Sequence, residues 1–215
     1  VQAAILKDAV VSTLSGKSIS SQTLANHIGV SKAIKDYSLQ RLITFHRTVK
    51  GASDFCTTHK QILQSYEGEG GLSVQADFVH GEMSSSERYE RLDQLREISG
   101  NDVGILSNAR CLSEGVDVPA LDGIAFIDPK SSVVDIVQAV GRAIRKTEDK
   151  SVGYIILPVY LGDTEDINDE ILRTRFSEIW KILLALKSQD DELSATLDEL
   201  RVAKGKGQKV NLSAS

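Results

Sequence analysis

Two arginines and a glutamine stand at a spacing that could bind a polyanion. Gln138, Arg142 and Arg145 follow one another at i, i+4 and i+7, which places one amide and two guanidinium groups on one face of a helix. The guanidinium fork matches phosphate oxygens, so this face suits a nucleoside triphosphate. Two arginines taken alone are more often solvated residues of a helix surface, so their context decides between the two interpretations.

A second stretch, residues 108–119, combines a glycine with a carboxylate. It leaves a predicted strand at 103–106 and reaches Gly115 and Asp117. Glycine permits a turn or a close backbone approach that a Cβ would obstruct. Three polar residues are predicted to lie between that strand and the glycine turn: Ser107, Asn108 and Arg110.

Strand candidates alternate with helical segments through the middle of the chain. Alternation of this kind predicts parallel β-α-β units with right-handed crossovers, and such open sheets bind ligands at the carboxyl ends of their strands. The sequence therefore predicts an α/β fold in which helices flank a parallel β-sheet. The predicted strands are 42–46, 76–80, 103–106, 123–127 and 153–158.

Composition narrows the class of protein. The net charge of −5 argues against a generally basic nucleic-acid binder, so contact with DNA requires a local patch. The cysteines, Cys56 and Cys111, form no C-x-x-C pair, which fits a reducing, cytoplasmic compartment. No apolar run reaches the length of a membrane span, and the histidines show no metal-site spacing. Because the chain starts at Val1, we expect it to be a piece of a longer protein.

Four segments, taken together, resemble the second motor domain of superfamily-two helicases. Residues 42–47, 79–84, 111–119 and 138–145 match, in order, motifs IV, IVa, V and VI of that family. The resemblance covers about residues 38–160, and four motifs in order are far more specific than any one. The amino-acid sequence around motif V most resembles that of bacterial DEAD/DEAH-type and restriction-type DNA helicases.

The resemblance implies that ATP chemistry is shared between two domains. Arg142 and Arg145 would reach the γ-phosphate of ATP held by the first motor domain, where arginine fingers stabilise developing charge. Gly115 would approach the nucleotide, and Asp117 would contact its ribose or couple the ATP and DNA sites. Gln138 would link the nucleotide and nucleic-acid sites.

The resemblance also implies a track for nucleic acid at the ends of the strands, where a cation such as Arg47 could hold a phosphate. For His80 and Gly81, an ordinary turn between a strand and a helix capped by Ser84 is an alternative explanation. For His46, an ordinary polar strand end is an equally good explanation. The predicted nucleic-acid-binding residues are Arg47, His80, Gly81, Ser107, Asn108 and Arg110.

The chain lacks two motifs that a complete motor needs. The tetrapeptide at 15–18 ends like a phosphate-binding loop, but Val11 stands where that loop requires glycine. No Asp-Glu-x-Asp/His run is present either. We therefore expect ATP and Mg²⁺ to be held mainly by a missing N-terminal RecA-like domain of the same chain, and this fragment alone to be inactive.

These observations predict a RecA-like α/β domain of the P-loop NTPase type, the second motor domain of an ATP-dependent DNA helicase or translocase. RNA is not excluded as the partner. The alternative is a catalytically silent nucleotide- or protein-binding module with the same fold. The predicted segments are a helical extension or linker at 1–38, the RecA-like domain at 39–160, packed helices at 161–203 and a flexible tail at 204–215.

Overall fold

A five-stranded β-sheet forms the centre of the described part of the computed structural model, with helices on both faces. Among the described residues, no helix is both long and apolar enough to cross a lipid bilayer. The structure describes residues 20–67, 73–109, 111, 121–128, 153–158, 174, 176, 177, 179–181 and 183.

All pairs of neighbouring strands are parallel, in the order β2-β3-β1-β4-β5. This arrangement confirms the predicted parallel α/β sheet. The strands are β1 (Arg41–His46), β2 (Val74–His80), β3 (Val103–Ala109), β4 (Gly123–Asp128) and β5 (Tyr154–Ile156). The helices are α1 (Ser21–Tyr37), α2 (Val49–Glu67) and α3 (Ser85–Arg96).

Strand β3 is longer than the sequence predicts. It was expected at 103–106 but continues to Ala109, and every one of its residues is buried. Ser107 and Asn108 therefore lie inside the strand rather than in the loop after it, so this part of the prediction is wrong. Their side chains are hydrogen-bonded in the interior. These bonds offset the free-energy cost of removing polar groups from water, so the strand can continue while buried.

The cap of helix α1 is Ser20, whereas the sequence offers Ser21 or Thr23 as the cap, one and three residues further along. Ser20 has extended backbone angles, and its hydroxyl accepts a hydrogen bond from the Thr23 amide at 3.1 Å. A hydroxyl at this position satisfies an amide that has no partner within the helix. Serines and a threonine adjoin one another here, so only backbone geometry shows which of them is the cap.

Helix α3 has the predicted cap. The Ser84 hydroxyl accepts from the Glu87 amide at 3.2 Å, while the Glu87 carboxylate accepts from the Ser84 amide at 2.8 Å. This reciprocal capping box satisfies two amides at the start of the helix. Hydrogen bonds from the Ser84 hydroxyl and amide also lower the pKa of the exposed Glu87 carboxyl.

The sheet separates two apolar cores, because successive residues of a strand point to opposite faces. The core beneath α1 and α2 includes Val30, Ile34, Leu42, Phe55, Ile105 and Ala125. The core on the α3 face includes Ile43, Leu92, Leu95, Leu106, Phe126, Phe176 and Ile179.

Packing is continuous across the predicted segment boundary at residue 38. Val30 and Ile34 of α1 belong to the same core as the central strands. On the other face, Phe176 and Ile179 are buried against the sheet, and Trp180 packs beside them. The packed helices predicted at 161–203 therefore contact the sheet through these residues and Leu183. Other apolar residues of that segment, Ile171, Leu172 and Leu184, lie outside the described residues.

Candidate nucleic-acid interface at the carboxyl ends of the strands

The carboxyl ends of four strands lie side by side at one edge of the sheet. His46 at the end of β1 is level with Ala109 of β3, which is also level with His80 of β2. On its other side, His46 is level with Asp128 at the end of β4. Parallel strands place their carboxyl ends, and the loops that follow, where an open sheet binds ligands.

Six of the predicted site residues lie outside the described residues, in segments that follow β3 and β4. Their positions stay predictions, as does the arrangement of the two arginines. The segment at 15–18 also lies outside the described residues. The six residues are Arg110, Gly115, Asp117, Gln138, Arg142 and Arg145.

Arg47 is the first residue after β1 and is exposed to solvent. Its Nε lies 3.6 Å from Oδ2 of Asp128. The pairing of β1 with β4 is irregular here, since Phe45 is level with Phe126 whereas His46 is level with Asp128. The structure thus places a cation at the predicted edge and a carboxylate beside it. This carboxylate is not among the site residues predicted from the sequence.

A buried polar network connects β1, β3 and α2 just beneath this edge. The Thr44 hydroxyl lies 2.9 Å from both His46 Nε2 and the Ser107 hydroxyl. The Cys56 thiol donates to the Ser107 hydroxyl at 3.2 Å, and burial raises the pKa of this thiol. Ser107 is fully buried, so its hydroxyl supports the strand ends from inside. Its predicted contact with nucleic acid stays a prediction.

Asn108 fixes the first step of the chain beyond β3. Its side-chain oxygen accepts hydrogen bonds from the Cys111 amide at 3.1 Å and the Cys111 thiol at 3.2 Å. Burial raises the pKa of that thiol to about 11, so it is protonated and can donate. The buried Asn108 side chain thereby orients the start of the predicted motif V segment, and its own contact with nucleic acid stays a prediction.

His80 and Gly81 form the turn between β2 and α3. The Met83 amide donates to the His80 carbonyl at 3.2 Å, and the His80 ring stacks on Phe78 with centroids 6.0 Å apart. Gly81 is exposed, and a Cβ there would meet no atom within 4 Å. The turn therefore does not itself require glycine at this position. The open space beside Gly81 leaves room for a ligand to approach the backbone.

A group of three buried histidines, which was not predicted from the sequence, lies between α1, α2 and the end of β1. His27 Nδ1 is 3.0 Å from His59 Nδ1, and both rings stack on Phe55, which also contacts His46. Burial and, to a smaller extent, His59 and His46 lower the pKa of His27 to about 3. The signal in the sequence is helical spacing, since His27 precedes the core residue Val30 by three positions.

Within the described ranges, no group of three or more His, Cys, Asp and Glu side chains is arranged to hold a metal ion. The histidine group is held together by ring stacking and hydrogen bonds rather than by converging lone pairs.

Comparison with known proteins identifies the family. Residues 26–147 match the model described as "Helicase conserved C-terminal domain". The probable helicase A859L of African swine fever virus (isolate Pig/Kenya/KEN-50/1950) is 34% identical over 133 residues, which make up 61% of this chain and 14% of that protein. UvrABC system protein B of Clostridium perfringens (strain SM101 / Type A) is 30% identical over 88 residues, or 39% of this chain and 13% of that protein.

A solved structure resembles nearly the whole chain. The ATP-dependent Type ISP restriction-modification enzyme LlaBIII bound to DNA superposes with a TM-score of 0.69 and 30% identity, covering 94% of this chain and 14% of that enzyme. The chain thus spans about one seventh of the length of these relatives. It belongs to the helicase conserved C-terminal domain family, and its parallel sheet is the C-terminal RecA-like domain of a superfamily-two helicase.

Proposed function

We propose that this chain is the second half of the motor of an ATP-dependent DNA helicase or translocase and acts with a first motor domain of the same protein. The observation that carries the proposal is the alignment of β1, β2, β3 and β4, whose carboxyl ends lie at one edge. The segments 42–47 and 79–84 reach this edge, and the segment 111–119 follows β3 in the chain. The similarity to LlaBIII, a DNA-bound enzyme, favours DNA over RNA. Both cysteines are free thiols, in keeping with a cytoplasmic protein.

ATP, in this proposal, binds between the two motor domains, and its phosphates and Mg²⁺ are held mainly by the first. Arg142 and Arg145 face the γ-phosphate and stabilise the charge that builds up during phosphoryl transfer. Gly115 lets the backbone approach the nucleotide and Asp117 contacts the ribose. Gln138 connects the nucleotide with the nucleic-acid track.

The nucleic-acid track runs along the edge formed by the strand ends. Arg47 holds a backbone phosphate, a contact that positions a strand without reading its sequence. His80, Gly81 and Arg110 add contacts on either side. Two buried residues, Ser107 and Asn108, hold the β3 end in place beneath the track, because their side-chain oxygens are engaged in the interior.

The decisive experiment is DNA-stimulated ATP hydrolysis by a protein that carries both motor domains. Arg145→Ala should lower turnover by at least about a hundredfold while ATP binding is largely kept, because an arginine finger acts mainly in the transition state. Arg96→Ala is a matched control, since Arg96 is an exposed arginine of α3 whose guanidinium contacts Asp93. Turnover of this control should stay within a factor of about two, as expected for an exposed ion pair.

Unchanged turnover in Arg145→Ala would remove this residue as a finger. If the wild-type protein hydrolyses no ATP with any nucleic acid, the catalytically silent nucleotide- or protein-binding module becomes the better explanation. That module needs the same fold but neither Arg142 nor Arg145.

A further inference from the structure

The carboxyl ends of β1 and β4 hold an ion pair that the proposed function does not use. Arg47 Nε and Asp128 Oδ2 are 3.6 Å apart, and the two side chains are 61% and 39% exposed. Both charged groups are therefore within reach of an incoming polyanion. Such a polyanion would meet the guanidinium of Arg47 with a carboxylate already beside it.

The position of Asp128 results from an irregularity in the sheet. Phe45 is level with Phe126, whereas the next residue of β1, His46, is level with Asp128, so Ile127 has no direct partner. Ile127 remains buried in the core, and the extra residue brings Asp128 level with the residue that precedes Arg47. Bulges of this type re-aim side chains beside functional sites.

The backbone on both sides of the ion pair is fixed. His46 is buried, its Nε2 lies 2.9 Å from the Thr44 hydroxyl, and its ring packs against Phe55. On β4, the residues before Asp128 are buried in the two cores. The two strand ends therefore hold the charges near each other.

We propose that Asp128 is an internal competitor for the phosphate that Arg47 binds, an inference that rests on the proposed nucleic-acid role of Arg47. Carboxylate and phosphate oxygens both accept hydrogen bonds from a guanidinium group. Without nucleic acid, Asp128 orients and partly neutralises Arg47. A backbone phosphate must replace that carboxylate or share the Arg47 guanidinium with it. This competition weakens binding of the phosphate and eases its release during each step of translocation.

The test measures binding of a fluorescein-labelled oligodeoxythymidine to the 215-residue chain by anisotropy at low salt. Asp128→Asn keeps the shape of the side chain and removes its charge. It should tighten binding about two- to fivefold, the effect of an exposed ion pair. Asp36→Asn is the matched control, because Asp36 pairs with Lys32 on α1 and is 38% exposed. This control removes the same charge from an ion pair that does not include Arg47, and it should tighten binding less.

A double-mutant cycle with Arg47→Gln separates the inference from the proposed function. Arg47→Gln alone should weaken binding, and adding Asp128→Asn to it should have no further effect.

Equal tightening by Asp128→Asn in both backgrounds would overturn the inference, because a general change in charge would explain it. If Asp128→Asn does not tighten binding while Arg47→Gln weakens it, Asp128 is no competitor but the role of Arg47 stands. If Arg47→Gln has no effect, the proposed role of Arg47 fails and the inference fails with it.

A second measurement checks the ion pair without nucleic acid. Asp128→Asn should shift the ¹⁵N resonance of Arg47 Nε, whereas Asp36→Asn should leave it in place. The same spectra show whether each variant is folded. An unshifted Arg47 resonance, or no saturable binding of the oligonucleotide by the wild-type chain, would also overturn the inference.

Discussion

The neutral imidazole of His27 links single-residue chemistry to the stability of the domain. Its pKa is lowered to about 3, first by burial and then by His59 and His46, whereas an unfolded histidine has a pKa of about 6.5. Below pH 6.5 the unfolded chain therefore binds a proton that the folded chain does not. The free energy of unfolding falls as pH drops from about 6.5 toward about 3, and this site causes no further loss below that range.

We predict that lowering the pH from 7.5 to 5.5 costs the wild type about 1.4 kcal/mol more than it costs His27→Leu. Urea unfolding followed by circular dichroism at the two pH values measures both losses. Carboxylates titrate in both proteins, so the difference between their losses isolates the histidine. Equal losses would contradict the prediction, because they would show that His27 binds a proton to the same extent in the folded and the unfolded chain.

Two glycines of this domain should respond in opposite ways to a methyl group. A Cβ on Gly104 would lie 2.6 Å from Leu95 Cδ1 and 2.7 Å from Ile98 Cγ1, whereas a Cβ on Gly81 would meet nothing within 4 Å. We expect Gly104→Ala to destabilise the fold by about 1–3 kcal/mol through overpacking. Gly81→Ala should change stability by less than about 0.5 kcal/mol, and chemical denaturation measures both.

Gly81→Ala also serves as a probe of the interface. Weaker binding of DNA by a variant of unchanged stability would support a close approach of the ligand to this turn. A stability loss as large as that of Gly104→Ala would contradict the open surroundings of Gly81.

At the residue scale, the sequence predicted exposed candidates better than buried ones. Arg47 and Gly81 were expected at strand ends and are found there. The interior position of Ser107 was not predicted, because its partners Thr44 and Cys56 come from elements more than fifty positions earlier in the chain. The sequence around Ser107 contains no pattern from which such a distant hydrogen-bond partner could be predicted.

Helix α3 shows how much a short sequence signal can determine at the scale of an element. Its core-facing residues Leu92 and Leu95 are few, and most of its surface is polar. The capping box between Ser84 and Glu87 therefore has a large share in fixing where the helix begins.

We predict that Ser84→Ala lowers the free energy of unfolding by about 0.5–2 kcal/mol, because the Glu87 amide loses its acceptor. Ser86→Ala, an exposed change in the same turn, is the control and should be neutral or slightly stabilising, since alanine favours the helix. Thermal unfolding of the two variants gives the comparison. A loss confined to Ser86→Ala would contradict the capping role.

Element bounds were predictable where apolar periodicity and caps agree, as in β1 and α3. They were not predictable where polar residues continue a buried strand, as in β3, or where several hydroxyl residues adjoin, as before α1. In both cases the deciding contact depends on backbone geometry or on a distant partner rather than on local composition.

At the scale of the molecule, the described residues form an ordinary parallel sheet whose strands end at one edge. The sequence predicted the parallel class, because helices separate the strands. The order β2-β3-β1-β4-β5 follows only from which apolar faces meet in three dimensions. The proposed catalytic arginines belong to this scale as well, since they would act on ATP across a cleft between two domains.

The central position of β1 has a consequence for how the chain is made. Its hydrogen-bonding neighbours come much later in the sequence: Thr44 meets Ser107 after 63 residues, and the Arg41 amide meets Asp122 after 81 residues. At a synthesis rate of about 5–20 residues per second, Arg41 leaves the ribosome roughly 4–16 s before Asp122 does. Both edges of this apolar strand stay open until β3 emerges, and one edge stays open until β4 emerges. The nascent chain is therefore most exposed to aggregation, and most in need of a chaperone, before β4 emerges.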